Sequence, residues 1–160
     1  DFGTVSRALA AYERTIISFD TPWDRARAGG PPLDEGARRG EALFYGTAGC
    51  AACHSGPNLT DLRLHGFATS AADRGAVRAT AAREDDGHFR TPSLRNVRLT
   101  APYLHDGSAP TIEAAIAAHG IALPTADAVA IGQFLDALTD RNVTTDPKLG
   151  LPPKSCPVRG

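Results

Sequence analysis

The chain has 160 residues, a formal charge of −1 and 42% hydrophobic residues, with three cysteines and no methionine. That length suits one ordinary domain, and so small a net charge gives no electrostatic footprint for a nucleic-acid partner. No apolar run approaches the roughly 20 residues that a membrane-spanning helix needs.

The first residues are Asp-Phe-Gly, without an initiating Met or a signal peptide, so a processed product or a piece of a longer polypeptide is expected. From Thr4 to Ser18 the apolar residues Val5, Ala8, Leu9, Tyr12 and Ile16 recur at helical spacing, with Arg7, Glu13 and Arg14 on other faces, which predicts an amphipathic helix. Asp20 to Pro32 holds Pro22, Gly29, Gly30, Pro31 and Pro32 and reads as a long loop. Trp23, the sole tryptophan, is read as the packing anchor of that loop, with an electron-hopping or partner-contact role as the alternative. Asp34 is placed to cap a second helix through Ala37, Leu43 and Phe44, delivering the chain to Gly46 and Cys50.

Cys50-Ala51-Ala52-Cys53-His54 follows. Two thiols three positions apart, then an imidazole, form the pattern of covalent c-type haem attachment. Each sulfur can add to a vinyl group of the ring, and His54 then falls beneath the iron as proximal ligand. A redox CxxC pair or half of a zinc site would need a βαβ pattern or a second CxxC, and the sequence has neither. Covalent attachment implies maturation outside the bacterial cytoplasm, so the periplasm is the expected compartment.

Past His54, a backbone carbonyl near Pro57 is expected to accept its Nδ1 proton and strengthen it as an iron donor. His65 to His88 is polar and aperiodic, an excursion over the surface in which both histidines are solvated. Phe89-Arg90-Thr91-Pro92-Ser93-Leu94-Arg95-Asn96-Val97 and Thr100-Ala101-Pro102-Tyr103-Leu104-His105-Asp106-Gly107-Ser108 are stiff, aromatic and basic. Such a loop is costly to order unless it packs on something large and flat, and the haem is the candidate, with Tyr103 and His105 against it. Ser108 or Thr111 then caps a short helix whose Ile112, Ala115, Ile116 and His119 share a face, and Gly120 stops it. Thr125 caps a last helix through Leu138, with Val129, Ile131, Phe134, Leu135 and Leu138 on its apolar side. Residues 144–160 form a Pro- and Gly-rich tail in which Cys156 either bridges to another segment or stays free.

Without strand alternation or repeats, the expected fold is all-α: a cytochrome c-like helical domain with long irregular loops wrapping one haem c. The usual methionine ligand opposite the proximal histidine is absent from the composition. His105 suits a loop-organising role, whereas His119 on an apolar helix face would be costly to bury without a partner and is assigned as the second iron ligand.

CAACHSGPNLTD followed by FRTPSLRNVRLTAPYLHDGSAPTIEAAIAAH resembles the C-terminal haem domain of the bacterial di-haem cytochrome c peroxidase and MauG family, and ALAAYERTIIS matches the segment joining the family's two haem domains. The resemblance covers nearly all of the chain and implies residues 1–32 as a linking helix and loop from an upstream haem domain, 33–143 as the haem domain and 144–160 as tail. It implies electron transfer at this haem and reaction with hydrogen peroxide at another, in an upstream domain or a separate chain. The oxidised partner is then a small redox protein, as for a peroxidase, or a protein substrate, as for MauG. By position His119 replaces the family's Met or Tyr, which lowers the reduction potential and favours the MauG-like reading. Carbonyls of Thr100 and Pro102 match a calcium motif, Arg90 and Arg95 suit haem propionates, and no catalytic residue is assigned. The competing class is a stand-alone mono-haem cytochrome that only carries electrons.

Overall fold

The computed structural model describes residues 1–67 and 73–150; Cys156 and the end of the tail lie outside them. Seven helices occur among the described residues: α1 (Phe2–Glu13), α2 (Pro22–Arg27), α3 (Glu35–Tyr45), α4 (Val77–Thr80), α5 (Ile112–Ala118), α6 (Thr125–Asp136) and α7 (Arg141–Thr145). Two short strands, β1 (Leu64–Gly66) and β2 (His88–Arg90), pair antiparallel with His65 opposite Phe89. The all-α expectation is therefore corrected by a three-residue ribbon, which ties down part of the excursion read as surface loop. Three residues are too short to show alternation, and the pairing joins segments more than twenty positions apart.

Helix α3 begins where Asp34 accepts a hydrogen bond from the Ala37 amide at 2.7 Å, satisfying one of the orphan donors of its first turn. It packs across α6. The close approach depends on Gly40: a Cβ there would overlap the Ala130 carbonyl oxygen and stand 2.9 Å from Phe134 Cβ. Phe44 and Phe134 are fully buried at this crossing with ring centroids 5.2 Å apart, and Ile131, Leu135 and Leu138 complete the core with Trp23, Ala48, Leu59 and Ile112. An ion pair between Arg39 and Asp127 closes the outer edge of the two helices. Val129, expected on the apolar side of α6, is instead 46% exposed. Pro124, not Thr125, stands at the cap of α6.

Helix α2 replaces the loop expected at 20–32. Thr21 accepts from the Asp24 amide while Asp24 accepts from the Thr21 amide, each at 3.1 Å, so Thr-Pro-Trp-Asp is a reciprocal capping box with proline at the first helical position. Trp23 is 4% exposed, gives its indole N–H to Glu41 at 2.7 Å and meets Phe134 edge-on, which is the anchoring role read from the sequence. Helix α1 ends at Glu13, short of the expected Ser18, and buries no residue. No helix of the described residues is long and apolar enough to cross a membrane.

Alanine at Gly40 gains helix propensity of about 1 kcal/mol, but here it must push backbone apart. Gly40→Ala is expected to lower stability by about 1–3 kcal/mol, read from urea unfolding; equal or greater stability than the parent would contradict the close crossing.

Candidate haem-attachment site

Helix α3 stops at Tyr45, and a single turn of 3-10 helix, Cys50–Ala52, presents the first thiol of the pair. Both cysteines are free and half-buried. Cys50 lies against the main core, and burial pushes its thiol pKa up. The amides of Cys53 and His54 both bond to the Cys50 carbonyl, at 3.3 and 3.0 Å, so the three side chains of the motif are held in one tight turn.

His54 Nδ1 lies 3.2 Å from the Leu59 carbonyl. A carbonyl only accepts, so Nδ1 carries the proton and Nε2 keeps its lone pair. The acceptor is thus a carbonyl near Pro57, as expected, while the Pro57 carbonyl itself accepts from Arg95 Nε at 2.8 Å. Burial, ahead of every other influence, holds the His54 pKa below the ordinary imidazole value, which favours the neutral form that a metal requires.

His119 is the residue that caps α5. Its amide bonds to the Ile116 carbonyl at 3.1 Å, a tightened last turn, and its Nδ1 gives its proton to the Ala115 carbonyl at 2.7 Å. Gly120 follows with φ of 71°, the left-handed stop that a glycine adopts without steric cost. His119 is therefore exposed at the helix end, with an edge contact to Phe67 at 4.9 Å, and not buried on the helix face as the spacing suggested. Its charge is among the weaker influences on His54, as is the Pro92 carbonyl, and the bond to Ala115 leaves Nε2 of His119 with its lone pair. Two thiols and an Nδ1-protonated imidazole held in one turn fit a haem c.

The remaining candidates are placed as follows. His105 stacks on Phe89 with centroids 4.0 Å apart and faces Asp73 and Asp106, in keeping with an organiser of its loop. Tyr103 forms a two-residue bridge with Ala109. His65 is half-buried and gives its Nε2 proton to Asp61 at 2.7 Å, and His88 Nδ1 bonds to the Asp86 carbonyl at 3.0 Å; neither is a freely solvated ring. Cys53, Asp61 and His65 also form a group able to hold a metal ion, a constellation the sequence reading missed because it saw these residues as parts of separate segments. The Asp61 pKa is held at about 2, first by the Arg63 amide and also by His65.

Arg90 is exposed at the end of β2. Arg95 differs from its expected role at a propionate: its side chain is 7% exposed, with two hydrogen bonds to Asp24 at 2.8 Å, one to the Ser18 carbonyl and one to Pro57. Four of its five N–H groups are thus committed within the protein. Burial raises the Asp24 pKa, but the Arg95 and Thr21 hydrogen bonds outweigh it and leave the carboxyl at about 2. Thr100 and Pro102 are exposed, flanking a cis Ala101–Pro102 peptide.

No protein-family model matches the chain. The methylamine utilization protein MauG of Methylorubrum extorquens is 40% identical over 116 residues, 70% of this chain and 33% of that protein. Cytochrome-c peroxidase IdrP1 of Denitromonas iodatirespirans is 35% identical over 145 residues, 69% of this chain and 39% of that protein. A solved MauG-like protein associated with microbial copper homeostasis superposes with a TM-score of 0.84 at 29% identity, over 94% of this chain and 57% of the other. The chain thus spans about a third of the length of these curated relatives.

The depressed Asp24 pKa gives a signed pH dependence. The Asp24–Arg95 contribution is complete above the unfolded value of 3.8 and is lost as pH falls towards about 2. In Asp24→Asn, stability should be lower at pH 7 and should fall less steeply between pH 4 and 2 than in the parent, as read by unfolding across that range; parallel pH profiles would contradict the pair's role.

Proposed function

We propose, for a chain that belongs to the cytochrome c peroxidase and MauG family and matches its C-terminal haem domain, that it holds one haem c through Cys50 and Cys53 and serves to relay electrons. The observation that carries this reading is the single turn that holds Cys50, Cys53 and His54 together, with His54 Nδ1 committed to the Leu59 carbonyl. The haem supplies one-electron exchange between ferric and ferrous iron. Were the iron held by both His54 and His119, the chain itself would supply the ligands that a small molecule would otherwise provide. Two imidazoles also stabilise the ferric state relative to a His/Met pair, which sets a low potential.

The segment 89–108, with Tyr103 and His105, would lie against the haem ring, and Arg90 would be available to a propionate. The Thr100 and Pro102 carbonyls are offered as two ligands of a calcium ion whose others come from outside this segment. For the whole protein, the reading is a periplasmic oxidoreductase in which hydrogen peroxide reacts at a second haem, in another domain or chain, and this domain passes oxidising equivalents between that haem and a redox partner. The imidazole at position 119 favours a protein substrate, as in the MauG-like branch, over a small redox protein.

The ferric spectrum of His119→Ala, prepared with its haem attached, should change from low-spin to high-spin; unchanged low-spin bands would remove His119 from the iron. Replacing Cys50 and Cys53 together by alanine should abolish covalent attachment, seen as loss of haem staining on a denaturing gel. Staining that survives would contradict thioether attachment at these positions.

A further inference from the structure

The turn after His54 is restrained from outside at consecutive carbonyls. Leu59, fully buried, has φ of 52°, a region a leucine keeps only where its surroundings impose it. Its carbonyl is the His54 acceptor, at a length near the long end of an ordinary N–H···O bond, so a small shift of the turn would change that bond appreciably. The two carbonyls before it are held by the TPSLRN segment: Ser93 Oγ donates to Asn58 at 2.7 Å and Arg95 Nε donates to Pro57 at 2.8 Å. Pro57 and Asn58 are exposed, so water could satisfy both carbonyls. What these side chains add is a fixed position. Arg95 is itself immobilised by Asp24, by the Ser18 carbonyl and by the Phe19 ring 4.0 Å beneath its guanidinium.

We infer that Ser93 and Arg95 are positioning residues that hold the Leu59 carbonyl against His54 Nδ1 and thereby tune the reduction potential of the haem that His54 ligates. This rests on the haem reading above. An imidazole whose N–H is shared with a carbonyl is the more basic donor and stabilises ferric iron. Slackening the turn weakens that bond and shifts the balance towards ferrous.

The test is a spectroelectrochemical titration of the haem-loaded protein. Ser93→Ala and Arg95→Gln should each move the ferric–ferrous equilibrium towards ferrous, by up to about tenfold, or about 59 mV for one electron, while Ser93→Thr, which keeps a hydroxyl, should return towards the parent. Arg39→Ala, which removes the ion pair at the outer edge of α3 and α6 and touches nothing in the core that holds Leu59, should leave the potential where it was. A potential unchanged in Ser93→Ala, which alters an exposed side chain and does not depend on Arg95 folding correctly, would overturn the inference. So would an Arg39→Ala shift of equal size, because the effect would then follow stability alone. A parent protein without the thioether haemochrome spectrum would overturn the haem reading as well, so failure of the one is distinguishable from failure of both.

Discussion

The contact between α3 and α6 is the constraint on which the rest of this structure depends. Because Gly40 has no side chain, the Ala130 carbonyl and the Phe134 Cβ can come against the α3 backbone, and the two helices share a core instead of merely touching through long side chains. Burial of each large apolar residue there, Phe44, Phe134, Ile131 and Leu138, contributes about 1.5–3 kcal/mol before conformational entropy is subtracted. The consequence for chemistry is positional: α3 runs directly into the turn that carries Cys50, Cys53 and His54, so a rigid helix crossing aims the reactive side chains.

A second system of contacts does for the irregular backbone what the helix crossing does for the regular part. Asn96, at φ of 60°, receives the Asp140 amide on its side-chain oxygen, gives its side-chain N–H to Ser18 Oγ, and gives its own amide to the Leu138 carbonyl. Thr60 donates to the Thr91 carbonyl, and the Thr91 amide donates to the Arg63 carbonyl. Loops of this length would ordinarily be mobile. Here side chains of the conspicuous TPSLRNV run are distributed among three distant segments, which explains physically why so stiff and polar a stretch lies beside a site instead of on open surface.

Much of this was legible beforehand, and the failures have identifiable causes. The Asp34 cap, the Thr111 cap and the Gly120 stop are local signals, written within four residues of where they act, and each lies where the sequence placed it. Pro22 taken alone reads as a helix breaker, whereas Thr21 and Asp24 on either side of it make the start signal of α2. Arg95 stood out, but its partner Asp24 is 71 positions away, and nothing in a linear pattern chooses between an anionic ligand and a buried carboxylate. The exposure of His119 had the same origin: spacing assigns a face to a residue, whereas the helix ended one residue too soon for that face to exist.

Helix α1 carries the last consequence. It is 12 residues long with none buried, and Phe2, Val5, Leu9 and Tyr12 all stand largely in water. Isolated helices of that length are marginal, so α1 in this segment is held by its Asp1 cap and by its own turns. The segment therefore has two regimes of local opening. Amides of α6 exchange with solvent only when the core comes apart, and those of α1 exchange by fraying that leaves the core intact.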